Sequence, residues 1–368
     1  MYKQAGSVLL ILGTCIGAAM LALPVVTATE TFSMSVVMML FAWAIMTIGA
    51  WTLLRVNLWL PEGANLITMT EKTLGKTMSA ITWVVYLLLL YSLMCAYLAG
   101  AADLAQGFLS SLQLPLSFWQ AALLVALVLG VVVYTGVGSV DYLNRALMSV
   151  KLAVFVVVVV MLLPHSTVTQ LHQGTYHTSL PIFMVMITSF GYAVILPSVR
   201  TYLNSDRAQL KRVVIIGSLL PLVIYLIWIA VVQSSLPRFG TQGLAAMTDS
   251  QHTNTLLVKS LLTLTQKPVV LVFGSVFAAI CTLTSFLGAS VCLMDFFADG
   301  FKLQRRKMQG AIIFLLTYAP PFCVVLFKPA LFTTALAYAG IFCVYILIIL
   351  PILMFLVGRR RAMTLGEA

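Results

Sequence analysis

The stretch Gly13-Thr14-Cys15-Ile16-Gly17-Ala18-Ala19-Met20-Leu21-Ala22-Leu23-Pro24 interrupts an apolar run, and a second stretch repeats its plan. That one reads Thr188-Ser189-Phe190-Gly191-Tyr192-Ala193-Val194-Ile195-Leu196-Pro197-Ser198. In each, glycine stands near the middle and proline follows six or seven residues later. Glycine weakens a helix by about 1 kcal/mol relative to alanine, and proline removes a backbone donor. Inside a bilayer, the backbone groups freed by such a break need protein, a cavity or a ligand to satisfy them. Glycine and proline are also commoner in membrane helices than in soluble ones, so one break alone says little. The placement of the pair decides the reading.

Outward from these stretches the chain divides into ten apolar spans: 6–26, 33–55, 77–109, 118–137, 143–163, 180–199, 212–232, 268–297, 310–328 and 332–357. Each is long enough to cross a hydrocarbon core of about 30 Å. Of the 21 lysines and arginines, only Arg238, Lys259, Lys267 and Lys328 fall in one set of alternate gaps. The other 17, Lys151 and Arg200 among them, belong to the opposite set and to the termini. Positive loops stay cytoplasmic, so both termini are expected inside, which an even number of spans satisfies. The broken stretches then fall in the first and sixth helices, each the first member of a five-helix half. Five is odd, so the second half inserts upside down relative to the first. The expected fold is all-α and integral to the membrane: one transmembrane domain over 1–368, with inverted repeats at about 6–163 and 180–357. Paired interruptions in corresponding places of two halves are the best sequence pointer to a transporter's binding site.

Composition agrees. Hydrophobic residues make up 61% of the chain and charged residues 8%, far below the roughly 25% charged of a soluble domain. The net charge of +11 is spread over many cytoplasmic segments, so topology accounts for it and a nucleic-acid partner does not. The six cysteines all fall inside spans, without metal-ligand spacing, and neither disulfides nor a metal is expected. Lys3 ahead of an apolar run imitates a signal peptide. Gly13 and Gly17 interrupt that run and another span follows Glu30, so the first helix reads as retained.

Where a broken helix restarts, its unpaired amides and the positive end of its dipole suit a carboxylate. The expected donors are the amides around Ile16, Gly17, Ala18 and Ala19. Carbonyls near Gly13 and Phe190 suit an ammonium group or a coupling ion, and a zwitterionic amino acid fits between the two. Thr14, Ser189, Gly191 and Tyr192 flank the breaks and complete the candidate substrate site. The third helix offers Tyr91 and Tyr97 as an aromatic wall, since tyrosine joins an apolar ring to one polar handle. Tyr86 reads as an interface anchor. On the eighth helix Cys281, Thr284 and Ser285 share one face. They serve either as an oxygen-rich ion site or as polar packing bonded to their own helix. Asp103 is the one acid placed near the site, either as a proton-carrying group or as a capped polar residue. All four histidines, His165, His172, His177 and His252, lie in expected external loops.

At this level of detail the chain resembles a known family. The matching stretches are GTCIGAAMLALP (13–24), LPEGANLITMTEKTLGK (60–76), YSLMCAYLAGAA (91–102), TSFGYAVILPSVRTYL (188–203) and TSFLGASVCLMDFFADG (284–300). Together they resemble the hydroxy and aromatic amino acid permeases of bacteria, most closely the tyrosine-transporting members. That family belongs to the amino acid–polyamine–organocation superfamily with the leucine-transporter fold. The resemblance implies import of an aromatic or hydroxy amino acid, tyrosine first, by proton symport across the bacterial cytoplasmic membrane. Substrate is implied to sit between the broken first and sixth helices. Two departures stand out: the family typically carries eleven helices where ten are expected here, and its Phe-Gly-Phe-His reads Phe190-Gly191-Tyr192-Ala193.

The missing histidine leaves sodium open as the coupling ion, with tryptophan or serine-type substrates as alternatives to tyrosine. A channel would need a filter or a ring of charge. A membrane enzyme would need a nucleophile with its base, or clustered His, Asp and Glu within spans. Neither pattern is present, so a carrier with a small amino acid substrate, surrounded by lipid and without a cofactor, is the expectation.

Overall fold

The computed structural model describes residues 2–135, 137–303 and 307–364, and among them the side chains of 3–134, 146–303 and 308–359. It is helical throughout. The first part of the chain forms α1 (Tyr2–Cys15), α2 (Ala18–Val26), α3 (Phe32–Leu58), α4 (Leu66–Leu74) and α5 (Lys76–Ser111). Then come α6 (Phe118–Thr135), α7 (Val137–Leu162), α8 (Val168–Leu171), α9 (Leu180–Ser189), α10 (Leu196–Tyr202) and α11 (Arg207–Ser235). The last are α12 (Thr253–Thr265), α13 (Pro268–Gly300), α14 (Lys307–Phe327), α15 (Phe332–Val344) and α16 (Leu350–Thr364). A single π turn, Tyr345–Ile349, joins the final two into one rod.

Local chemistry sets several boundaries. Thr31 caps α3 by accepting from the Met34 amide at 3.3 Å, and Asn65 caps α4 through Thr68 at 2.9 Å. Such side chains satisfy amides that a helix start leaves unpaired. Gly75, at φ +92°, separates α4 from α5 with a backbone conformation that L side chains rarely adopt. Neither α4 nor α12 was expected from the sequence, because both are short and lie in gaps between apolar runs.

Among the described residues, eight helices are long and apolar enough to cross a membrane, or nine when the bent pair Lys3–Cys15 and Ala18–Thr29 counts as one span. The remaining expected crossing is the shorter apolar helix Phe118–Tyr134. Its 17 residues reach roughly 26 Å at 1.5 Å per residue, just under the hydrocarbon thickness.

The long helices pack as a bundle in which α13 lies against α5 and α7, while α15 lies against α5 and α9. Small residues allow the backbones to close in. A Cβ on Gly340 of α15 would sit 2.1 Å from the Met184 carbonyl oxygen of α9. Three basic residues assigned to loops from the charge pattern prove to be buried: Lys151 at 1% exposure, Arg200 at 7% and Arg238 at 1%. Arg200 ties α10 to the end of α3, donating to Asn57 Oδ1 at 3.2 Å and the Leu60 carbonyl at 3.0 Å. Arg238 closes the opposite end of the bundle. It reaches the carbonyls of Ala28 at 2.9 Å, Gln173 at 2.8 Å and Gln170 at 3.1 Å, and also bonds that of Glu30.

Candidate functional site

Both interrupted helices break where the glycine–proline pattern indicated. α1 stops at Cys15 and α2 starts at Ala18, their axes bent by 52° around Ile16 and Gly17. Gly17 holds the N-cap position of α2 but has no side chain to cap with, so α13 supplies one. Ser285 Oγ accepts from the Ala18 amide at 2.9 Å, and a Cβ on Gly17 would fall 2.1 Å from that oxygen. Among the described residues, the amides of Gly17 and Ala19 make no backbone hydrogen bond. The second break follows the same logic. α9 ends at Ser189, a 3-10 turn covers Gly191–Ile195, and α10 opens with Pro197 in its first turn, where a missing N–H leaves nothing unpaired.

One residue links the two breaks. The Tyr225 hydroxyl of α11 lies 2.5 Å from the Cys15 carbonyl and 2.9 Å from the Ser189 carbonyl, the last carbonyls of α1 and α9. A phenol has one proton, so it donates to one carbonyl at a time and holds both half-helix ends within reach. Phe190, fully buried, meets the Tyr225 ring edge-on at 5.4 Å. The Tyr192 hydroxyl pairs with Thr47 Oγ1 at 3.3 Å. A Cβ on Gly191 would meet no atom within 4 Å, so the second break borders open space.

Lys151 of α7 enters the first break from the side. Its ammonium donates to the Ile16 carbonyl and, at 3.2 Å, to Thr284 Oγ1. Thr284 also back-bonds to the Ile280 carbonyl at 2.8 Å. Cys281 is buried in the same helix face, its carbonyl 3.9 Å from a Cβ built on Gly17. The Ile16 carbonyl and Thr284 Oγ1, beside the face that the sequence left open between an ion site and polar packing, are therefore engaged by a lysine amine of the chain itself. A buried charge is expensive unless paired and hydrogen-bonded; here two oxygens and no carboxylate receive it.

The other candidates divide. Tyr97 keeps partial exposure in mid-helix. Tyr91 turns away, donating to the Leu316 carbonyl of α14 at 2.7 Å, so the structure does not bring it to the breaks. Gly13 faces Met148, and Thr14 is exposed and bonds its own helix at Leu10. Ser189 Oγ likewise bonds back to Val185. Asp103 is buried, but its carboxylate caps α12 by accepting from the Asn254 and Thr255 amides at 2.8 and 3.1 Å. Its second oxygen lies 3.4 Å from His252 Nδ1, and this hydrogen bond raises the imidazole pKa above its ordinary value. Asp103 thus anchors an outer helix and stands apart from the breaks.

Two members of the site escaped the sequence reading. Lys151 carried a signal, a cation six residues beyond Arg145 into the apolar run 143–163, that the loop assignment overrode. Tyr225 carried none, because its partners are backbone carbonyls brought together only by the fold. Exposure is unequal on the two sides of the first break. Every residue of α2 is buried, whereas Leu9 at 48%, Leu10 at 38% and Thr14 of α1 are exposed. On α13, Ser285 and Gly288 are partly exposed, and Cys292, Asp295 and Asp299 further along are exposed. A polar stripe leads from the first break toward the end of the bundle that carries the termini.

Comparison with known proteins gives one family. Residues 2–366 match the model of the tryptophan/tyrosine permease family. The tyrosine-specific transport system 1 of Haemophilus influenzae is 30% identical, over 98% of this chain and 89% of the relative. The glutamine transporter 2 of Aliivibrio fischeri is 29% identical over 98% and 90%. The tryptophan-specific transport protein of H. influenzae is 28% identical over 97% and 88%. Among solved structures, the nucleobase-cation-symport-1 transporter Mhp1 superposes with a TM-score of 0.61 at 13% identity, covering 92% of this chain and 76% of Mhp1.

Proposed function

Since the chain belongs to the tryptophan/tyrosine permease family, we propose that it imports an aromatic amino acid, tyrosine first, by proton symport and alternating access. Ten crossings arranged as a five-plus-five inverted repeat form the frame of this reading, with both termini in the bacterial cytoplasm. The observation that carries it is the meeting of two interrupted helices at Tyr225. The substrate carboxylate takes the unpaired amides at Gly17 and Ala19, displacing or joining Ser285 at Ala18. Its ammonium group faces the carbonyls that end α1 and α9, and its ring lies among Phe190, Tyr97 and Tyr225. That aromatic wall favours tyrosine over glutamine, the substrate in the name of one relative.

Lys151 supports proton over sodium coupling. As an ammonium it bridges the α1–α2 break to α13 with two charge-assisted hydrogen bonds, each worth about 1.5–3 kcal/mol in typical settings. As a neutral amine it loses most of that hold, and α1 is free to move against α13. Taking the proton with substrate on the outer side, and releasing it through the polar stripe of α13, couples the two flows. Exposure of α1 and burial of α2 fit a conformation open toward the cytoplasm.

The test is a competition panel with purified protein in liposomes, comparing wild type with Phe190→Ala. Weakening tyrosine and phenylalanine about tenfold more than serine supports the aromatic wall, since a buried Phe contributes roughly 1.5–3 kcal/mol. Equal loss for all substrates contradicts it.

A further inference from the structure

At the end of the bundle that carries the termini, α3, α11 and α16 leave a cavity of about 350 Å³ between them. Its lining is mostly apolar, with Trp51, Trp59 and Phe355 beside Leu54, Leu58 and Leu210, and its charged members are Arg55, Arg207 and Lys211. No acid lines it. Asp206 is the sequence neighbour of Arg207, but its carboxylate caps α11, accepting from the Ala208 and Gln209 amides at 2.9 and 3.0 Å. The aromatic side is ordered by contact: Trp59 stacks on Phe355 at 5.3 Å, and the Arg55 guanidinium lies 5.9 Å from the same ring.

The positive-inside rule explains why this end of the molecule is basic. It does not require three cations to converge on one apolar hollow, where they repel each other until an anion joins them. The volume lies within the range of about 300–1,000 Å³ typical of small-molecule sites. A lining that joins three cations to aromatic and aliphatic side chains at a membrane surface matches an amphiphile with a negative head.

We propose that the cavity between α3, α11 and α16 binds an anionic phospholipid of the cytoplasmic leaflet, its phosphodiester held by Arg55, Arg207 and Lys211 and an acyl chain lying against Trp51 and Phe355. A free phosphate ion shares the head-group chemistry but has nothing to cover the apolar lining. A zwitterionic phospholipid carries the same phosphodiester and chains, but its choline cation opposes the three basic side chains. Because α11 also carries Tyr225, the lipid braces the helix that links the two breaks.

The experiment titrates the full-length protein in detergent with phosphatidylglycerol, with phosphatidylcholine of the same chain length, and with inorganic phosphate. Bound lipid is counted by native mass spectrometry. Phosphatidylglycerol is expected to bind at least tenfold more tightly than phosphatidylcholine, and inorganic phosphate to displace it poorly. Each cation near an anionic lipid is worth about fivefold, so Arg55→Gln, Arg207→Gln and Lys211→Gln together should cost about a hundredfold. Should that triple variant fail to fold, Lys211→Gln alone carries the test, with a loss of about fivefold. The control replaces Lys3, Lys72 and Lys302 by glutamine, removing the same charge from the same end without touching the cavity. Equal loss in the control, equal binding of the two lipids, or full displacement by millimolar phosphate overturns the proposal.

Discussion

Replacing Gly17 by alanine places a methyl group 2.1 Å from Ser285 Oγ, the atom that caps α2 through the Ala18 amide at 2.9 Å. Relief of that clash requires the serine to rotate or α13 to retreat, and either movement breaks the cap. Overpacking of this kind costs about 1–3 kcal/mol, and loss of the cap adds about 1 kcal/mol. Ser285→Ala alone loses only the cap. In the double variant the hydroxyl is gone, and the nearest neighbours of the new methyl are the residue 285 Cβ at 3.5 Å and the Cys281 carbonyl at 3.9 Å. Those are ordinary contacts. The double variant should therefore match Ser285→Ala, giving a coupling energy of about 2–4 kcal/mol in magnitude in a double-mutant cycle.

For a chain of 368 residues, 1 kcal/mol shifts the melting temperature by about 2 °C. Gly17→Ala should fall by about 4–8 °C, and Ser285→Ala and the double variant by about 2 °C each. The assay is thermal unfolding of purified protein in one detergent, with and without substrate. Additive losses, leaving the double variant below Gly17→Ala, would refute the view that Gly17 is required by the approach of Ser285.

Tyr225→Phe removes one hydroxyl from two buried carbonyls, a loss of about 1–3 kcal/mol, and should raise hydrogen exchange at 13–19 and 188–193 together and weaken substrate binding by about tenfold. Faster exchange at one break only would contradict a shared clasp. His252 has its pKa raised by the hydrogen bond to Asp103, against desolvation and the repulsion of Lys259. The raised value means that the contact stabilises α12 fully below the ordinary imidazole pKa of 6.5 and loses that contribution as pH rises through the shifted one. Amide protection at 253–256 should fall over that window in wild type and not in Asp103→Asn; a pH-independent profile in wild type would remove the role of His252.

The breaks were legible because glycine and proline act on the local backbone, and the long crossings because apolar runs report the thickness they must span. Phe190, Gly17 and Ser285 could be named for the same reason, each lying at or facing a break. What the sequence hid is direction and partnership. Tyr91 and Tyr97 lie on the same helix, α5, yet only Tyr91 turns its hydroxyl to the Leu316 carbonyl of α14. Asp103 finds its partners 151 and 152 positions away, on a helix too short to stand out from its loop. Lys151 was misread because the charge pattern counts cations without measuring their depth. Its burial adds a lysine amine to the Thr284 face, which the sequence left open between an ion site and polar packing.

The most direct test of proton-coupled aromatic amino acid import is uptake of labelled tyrosine into sodium-free proteoliposomes under an imposed inward pH gradient. The wild type should concentrate tyrosine in proportion to the gradient. Lys151→Met should lose that accumulation while still exchanging internal for external tyrosine when no gradient is imposed. Removing a buried ammonium in this way leaves stability within about 3 kcal/mol, and thermal unfolding checks it. Accumulation that appears only with a sodium gradient, or that survives Lys151→Met undiminished, contradicts the account.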